Sequence, residues 1–200
     1  MARTMAQDYG DKREAILRAA ARLFADEGYG RASMSNVAQK CGISKANIYH
    51  YYPSKEALLF DMLDSHLSEL RDRVVGLEFA SDDPKLQLRA ILAEVLLTYQ
   101  GADAEHDVML SAMQALPEAQ QDKLRLYQKE ATAALRDRLA AICPDEVAAD
   151  RTKLWALTMS VFGMLNWHYK WSSAADEALR REHAELITDL VIGGVQGLQD

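Results

Sequence analysis

CGISKANIYHYYPSKEALL, residues 41–59, sets three tyrosines, a histidine and two lysines between a glycine and an apolar run. Two residues delimit a short helix within it. Ser44 offers a side-chain oxygen to the orphan N–H groups of a first turn. Pro53 stops the helix by pushing the residue before it out of the α region. A second short helix precedes it: Ser33 caps MSNVAQKC, and Gly42 closes that segment where a left-handed residue costs little. Ala38 is small where the two helices must cross, and Ile43 and Ile48 fill the space between them. This is helix-turn-helix geometry. The second helix of such a unit lies in the major groove with its N-terminal residues toward base edges. Here those residues are Ser44, Lys45, Ala46, Asn47, Tyr49 and His50.

Asn47 suits an adenine edge, and Tyr49 and His50 suit phosphate or a thymine methyl. Lys55 is expected to add a phosphate contact beside the N–H groups of the next helix start. Tyr52 is the tyrosine best placed to pack rather than read. Charge agrees with this placement. The chain carries a net −7, yet residues 1–59 hold 9 Lys and Arg against 6 Asp and Glu, while residues 60–200 hold 14 against 24. A basic head on an acidic body puts the footprint for phosphate in the first quarter of the chain.

Outward from the head, REAILRAAARLFADEG carries Ile16, Leu17, Ala20, Leu23 and Phe24 on one stripe and ends at Gly28, predicting a first helix. Residues 54–79 read as a long connecting helix. Breaker clusters then divide the remainder into helices over about 84–100, 106–115, 118–142, 146–171 and 175–198. The expected fold is all-α, about nine helices, with a head over 1–53 and a body over 54–200. Low Gly and Pro content fits that class.

The segment YGRASMSNVAQKCGISKANIYHYYPSKEALL, with the helix before it, resembles the N-terminal domain of TetR-type transcriptional regulators over about residues 11–63. The resemblance implies an all-helical homodimer with a DNA head and a ligand-binding body. Carried onto this chain, the DNA-binding set is Ser33, Ser44, Lys45, Ala46, Asn47, Tyr49, His50, Tyr51 and Lys55. Ser33 stands where the family often has Thr, and Ala46 where it often has Gly.

In the body, TKLWALTMSVFGMLNWHYKW is too apolar for a lone surface helix, and AELITDLVIGGVQGL pairs an apolar face with Gly193, Gly194 and Gly197. These two segments are similar to the family's dimerisation helices, which implies an interface through Trp155, Met159, Leu190, Val191, Gly194, Val195 and Leu198. An adaptable apolar pocket is expected from Leu92, Val95, Leu96, Tyr99, Met109, Met113 and Phe162, with Asn166 to orient a ligand. GMLNWHYKW resembles the corresponding helix of regulators answering to acyl-coenzyme A thioesters. That implies an acyl slot, with Arg89, Arg125, Arg136 and Lys170 available for phosphates. A drug-like inducer of an efflux or stress operon, and a helical ligand-binding protein that no longer reads DNA, remain open beside it.

No catalytic, cofactor or metal signature is found. Five histidines are scattered without ligand spacing, and no nucleophile elbow or phosphate loop occurs. Two cysteines without a C-x-x-C pair, and apolar runs too short to span a bilayer, lead to an expectation of a cytoplasmic protein without membrane contact.

Overall fold

The computed structural model describes residues 2–172 and 176–198. Among them are ten α-helices and no strand: α1 Ala2–Glu27, α2 Met34–Lys40, α3 Lys45–Tyr51, α4 Lys55–Val75, α5 Pro84–Thr98, α6 Asp103–Ala112, α7 Glu118–Ala140, α8 Asp145–Ala149, α9 Arg151–Trp171 and α10 Glu177–Val195. A single 3₁₀ turn, Met113–Ala115, follows α6.

The first compact unit comprises Met1–Leu67 with Gly101–Arg125, and the second Ser68–Gln100 with Leu126–Asp200. Helices α4 and α7 contribute to both. In the first unit, α1 packs on α2 and α6 along the stripe expected from its period: Ile16, Leu17, Ala20, Leu23 and Phe24 are all buried. Gly28 ends α1 at φ 83°, its N–H on the Phe24 carbonyl at 3.0 Å. In the second unit α10 lies against α5 and α9, burying Ala184, Ile187, Val191 and Val195.

Several boundaries differ from those expected; the connecting helix read over 54–79 ends at Val75. The first helix begins at Ala2, well before Arg13, because Ala, Met, Gln and Arg sustain a helix without an apolar stripe to mark it. The segment 146–171 is two helices. Asp150 leaves the α region at φ −83° and ψ 102°, and its Oδ1 accepts from the N–H groups of Thr152 at 2.9 Å and Lys153 at 3.1 Å. Val147 and Leu154 are buried on either side of this cap, so the apolar period runs through the break. The helix at 106–115 starts earlier, at Asp103, and tightens into the 3₁₀ turn.

Buried histidines give this fold an acid limit. In the first unit, His66 and His106 lie with ring centroids 5.9 Å apart, and burial, followed by the charge of His106, pushes the His66 imidazole down to about 3. In the second unit, burial, then His183, then Arg180, push His168 down to about 4. The unfolded chain binds these protons near 6.5. The unfolded state therefore gains protons first as pH falls, and stability declines from about pH 6.5 toward 4, where His168 itself begins to protonate. The melting temperature is expected to hold above pH 7 and to fall through that window. His66→Phe together with His168→Phe should flatten the decline.

Candidate nucleic-acid interface and effector region

The Ser33 Oγ accepts from the Asn36 N–H at 3.2 Å and donates to Asn36 Oδ1 at 2.7 Å, starting α2. Val37 and Ala38 face inward from it. Gly42 takes φ 67°, its N–H on the Gln39 carbonyl, and the Ile43 N–H bonds the Ala38 carbonyl at 3.0 Å. The chain then turns into α3, where Ser44 Oγ accepts from the Asn47 N–H at 3.1 Å. Each of these joints was legible as a residue type at a spacing.

Helix α3 divides into two faces. Ile48 is 0% exposed and Tyr52, at the C-cap, is buried, whereas Ser44, Lys45, Ala46, Asn47, Tyr49 and His50 are all solvent-exposed. Tyr51 is half-buried, its ring stacked on Tyr9 of α1 at 4.8 Å between centroids. The outward face offers an amide, a phenol, an imidazole and an ammonium in two helical turns, a set able to pair with base edges and phosphates.

Lys55 has work inside the head. Its Nζ donates to the carbonyl oxygens of Tyr29 at 2.7 Å and Ala32 at 2.9 Å, with Gly30 at 3.5 Å, and stands 4.3 Å from the Tyr29 ring centroid. It thus clamps the loop between α1 and α2 against the start of α4. Sequence reasoning had no signal for this role, since the carbonyls it holds lie more than twenty residues away.

Of the pocket candidates, Leu92, Val95, Leu96, Tyr99, Phe162 and Asn166 belong to the second unit, where all but Asn166 are buried. The Tyr99 hydroxyl and Asn166 Oδ1 are 3.0 Å apart, joining α5 to α9. Burial pushes the Tyr99 phenol well above its ordinary range, so it stays a donor. Met109, which is buried, and Met113 belong to the first unit. Arg180, unforeseen, is 1% exposed and donates from Nη1 to the Leu96 carbonyl at 3.2 Å. Its signal was available: it falls on the buried stripe of α10 that continues through Ala184, Ile187 and Val191. The cations suggested for a phosphate-bearing ligand are engaged elsewhere. Arg89 pairs with Glu185 and Asp189, Arg125 with Asp122, and Arg136 with Asp137, while the Lys170 ammonium lies 4.6 Å from the Tyr169 ring.

Val191 and Val195, expected to face a partner chain, are buried in their own subunit where α10 meets α5. The opposite side of α10 and one side of α9 remain open. Trp155, Met159, Met164, Trp167 and Trp171 on α9, with Leu186, Leu190 and Leu198 on α10 and just beyond it, are exposed. Gly163, Gly193 and Gly194 lie along these stripes, and a Cβ at any of them would meet nothing within 4 Å.

The head and the body each match known proteins. The family model described as bacterial regulatory proteins, tetR family, fits residues 16–62, and that described as tetracyclin repressor-like, C-terminal domain, fits residues 81–195. This chain belongs to the TetR family of transcriptional regulators. The crystal structure of a TetR-family regulator from Bordetella parapertussis superposes with a TM-score of 0.84 at 36% identity, covering 94% of this chain and 97% of that one. The regulator EthR of Mycolicibacterium smegmatis is 32% identical over 74% of this chain and 70% of its own. AibR, solved in complex with isovaleryl coenzyme A and operator DNA, shares the fold at a TM-score of 0.71 and 24% identity, covering 92% and 97%. Coverage is shorter elsewhere: the Bacillus subtilis regulator YuxN matches at 34% identity over 93 residues, 32% of its length. TetR-family regulators are DNA-binding proteins rather than enzymes; they bind operator DNA and small-molecule effectors and act as dimers. Among the described residues, no helix is long and apolar enough to cross a membrane, and no three His, Cys, Asp or Glu cluster as a metal site would require.

Proposed function

We propose that the protein is a cytoplasmic, dimeric repressor that binds a palindromic operator through α3 and is released by a small ligand held in its body. The observation that carries this reading is the partition of α3. Six polar or small residues face solvent from a helix whose inward anchors are Ile48 and Tyr52. Residues 1–53 serve as the reading head and 54–200 as the effector and dimerisation body. Dimerisation rests on the exposed apolar stripes of α9 and α10 and the glycines among them, which suit a two-fold, self-complementary four-helix contact. Two heads then read half-sites about 34–36 Å apart.

Release follows from linkage. Helix α4 runs unbroken from Lys55, beside the reading helix, to Val75, where Arg73 Nε bonds Glu94 of α5 at 2.5 Å. A ligand among Leu92, Leu96, Tyr99 and Phe162 that favours a different course of α4 changes the spacing of the heads, and so lowers operator affinity. The effector class favoured for that role is an acyl-coenzyme A thioester, whose acyl chain suits apolar side chains such as Leu92, Leu96 and Phe162, and AibR supplies a precedent for such a ligand on this fold.

Selection of bound duplexes from a random-sequence pool tests the DNA reading. The expected product is an inverted repeat, bound with an affinity that falls steeply with salt. A pool that yields no consensus would remove the proposal. Titrating the selected duplex complex with short- and long-chain acyl-coenzyme A thioesters tests the effector: a member that releases DNA should itself bind more weakly when operator is present, and a panel without effect on operator affinity or melting temperature would eliminate the thioester.

A further inference from the structure

We propose that Asp61 is a positioning residue for DNA reading, a hub through which Arg13 of α1 and Tyr52 at the end of α3 fix the rotation of the reading helix. The inference rests on the proposed reading of DNA by α3. Seven residues make about two turns, too short to be stable alone, so the pose of α3 is set by what holds it. Its central anchor, Ile48, is apolar and therefore non-directional. A helix held only by such a contact can roll. With side chains reaching a radius of roughly 5–6 Å, a roll of about 20° carries a tip by about 2 Å, enough to lose a hydrogen bond to a base.

The directional restraint lies at the C-terminal end of α3. The Tyr52 hydroxyl donates to Asp61 Oδ2 at 2.6 Å. Arg13 Nε donates to the same oxygen at 2.9 Å, and Arg13 Nη2 donates to Oδ1, forming a fork, with Ser65 Oγ at 3.5 Å from Nη2. Three helices of one compact unit thus meet on a single carboxylate. Burial, then the hydrogen bond to Asp61, push the Tyr52 phenol far above its ordinary range, so it remains a donor at any working pH. The adjacent Tyr51 ring, stacked on Tyr9, ties the same end of α3 to α1 a second time.

Charge makes the role of Asp61 separable from electrostatics. An anion in a head that must approach phosphate opposes binding on Coulombic grounds, so Asp61→Asn, nearly isosteric, should strengthen binding if charge is all that matters. Positioning predicts the reverse for a specific site. The experiment compares the native protein with Asp61→Asn, Tyr52→Phe and Arg13→Lys on two duplexes of equal length: one selected from a random pool by the native protein, and one with its sequence scrambled. Anisotropy gives affinity, and thermal unfolding gives stability.

Affinity for the selected duplex is expected to fall about tenfold in each variant, while affinity for the scrambled duplex stays within about twofold or, for Asp61→Asn, rises. Arg13→Lys keeps the charge and loses the fork, so its loss should match the others. Tyr52→Phe combined with Asp61→Asn should cost less than the sum of the two single losses, because both act on one network. Unchanged affinity for the selected duplex in all three variants would overturn the proposal. So would equal losses on both duplexes that track a lowered melting temperature, or tighter binding of Asp61→Asn to both. Failure of the native protein to select any sequence would instead strike the DNA-reading proposal, and is seen before any variant is made.

Discussion

Leu190→Glu is expected to convert the protein to a monomer and to lower operator affinity by at least about 100-fold, the gain that linking two half-site contacts commonly gives. Leu190 is 58% exposed in the single chain, on the side of α10 away from α5, and shares its stripe with Leu186 while Trp167 stands 60% exposed on α9. Covering a leucine of this kind is worth roughly 1.5–3 kcal/mol, and a two-fold interface counts the residue twice. A glutamate there would be buried without a partner cation, at a cost of several kcal/mol more. The fold of each chain should survive, because Leu190 takes no part in its own subunit's core. Sedimentation velocity and circular dichroism check both halves: a monomer with native helix content is the expected result, and a persisting dimer would move the interface away from α10.

Ile48→Ala should have the second largest effect, and of a different kind. Ile48 is the buried side chain of α3, and truncating a fully buried isoleucine costs about 2–5 kcal/mol. In a chain of this size that lowers the melting temperature by roughly 5–15 °C. Operator binding should be lost, while dimer mass at low temperature is kept. Tyr49→Ala is the informative contrast. Tyr49 is 45% exposed, so its loss should leave melting unchanged within error and still weaken operator binding. If Tyr49→Ala destabilised the protein as Ile48→Ala does, the division of α3 into an anchored and a reading face would be wrong.

The head was legible because its joints depend on local chemistry. Ser33 and Ser44 cap as hydroxyls at helix starts do, Gly42 takes the positive φ that its place after α2 demands, and Tyr52 packs where it was expected to. The body was legible only in part. Periodicity tells which residues of α10 share a face but not what covers it. That helix carries two apolar faces: Ile187, Val191 and Val195 meet the subunit's own α5 side, and Leu186 and Leu190 face outward. The break at Asp150 was hidden for a similar reason, as buried residues continue in register across a cap. Arg13, Asp61 and Tyr52, and Arg180 with the Leu96 carbonyl, depend on pairings across 48, 9 and 84 residues that no local spacing encodes.

The measurement that bears most directly on the whole account is the number of chains bound per operator, obtained by sedimentation of a labelled duplex carrying the selected inverted repeat. Two chains per repeat, released together on adding effector and absent for Leu190→Glu at the same concentration, is the predicted result. One native chain bound per half-site, with the same affinity whether the second half-site is present or scrambled, would contradict it.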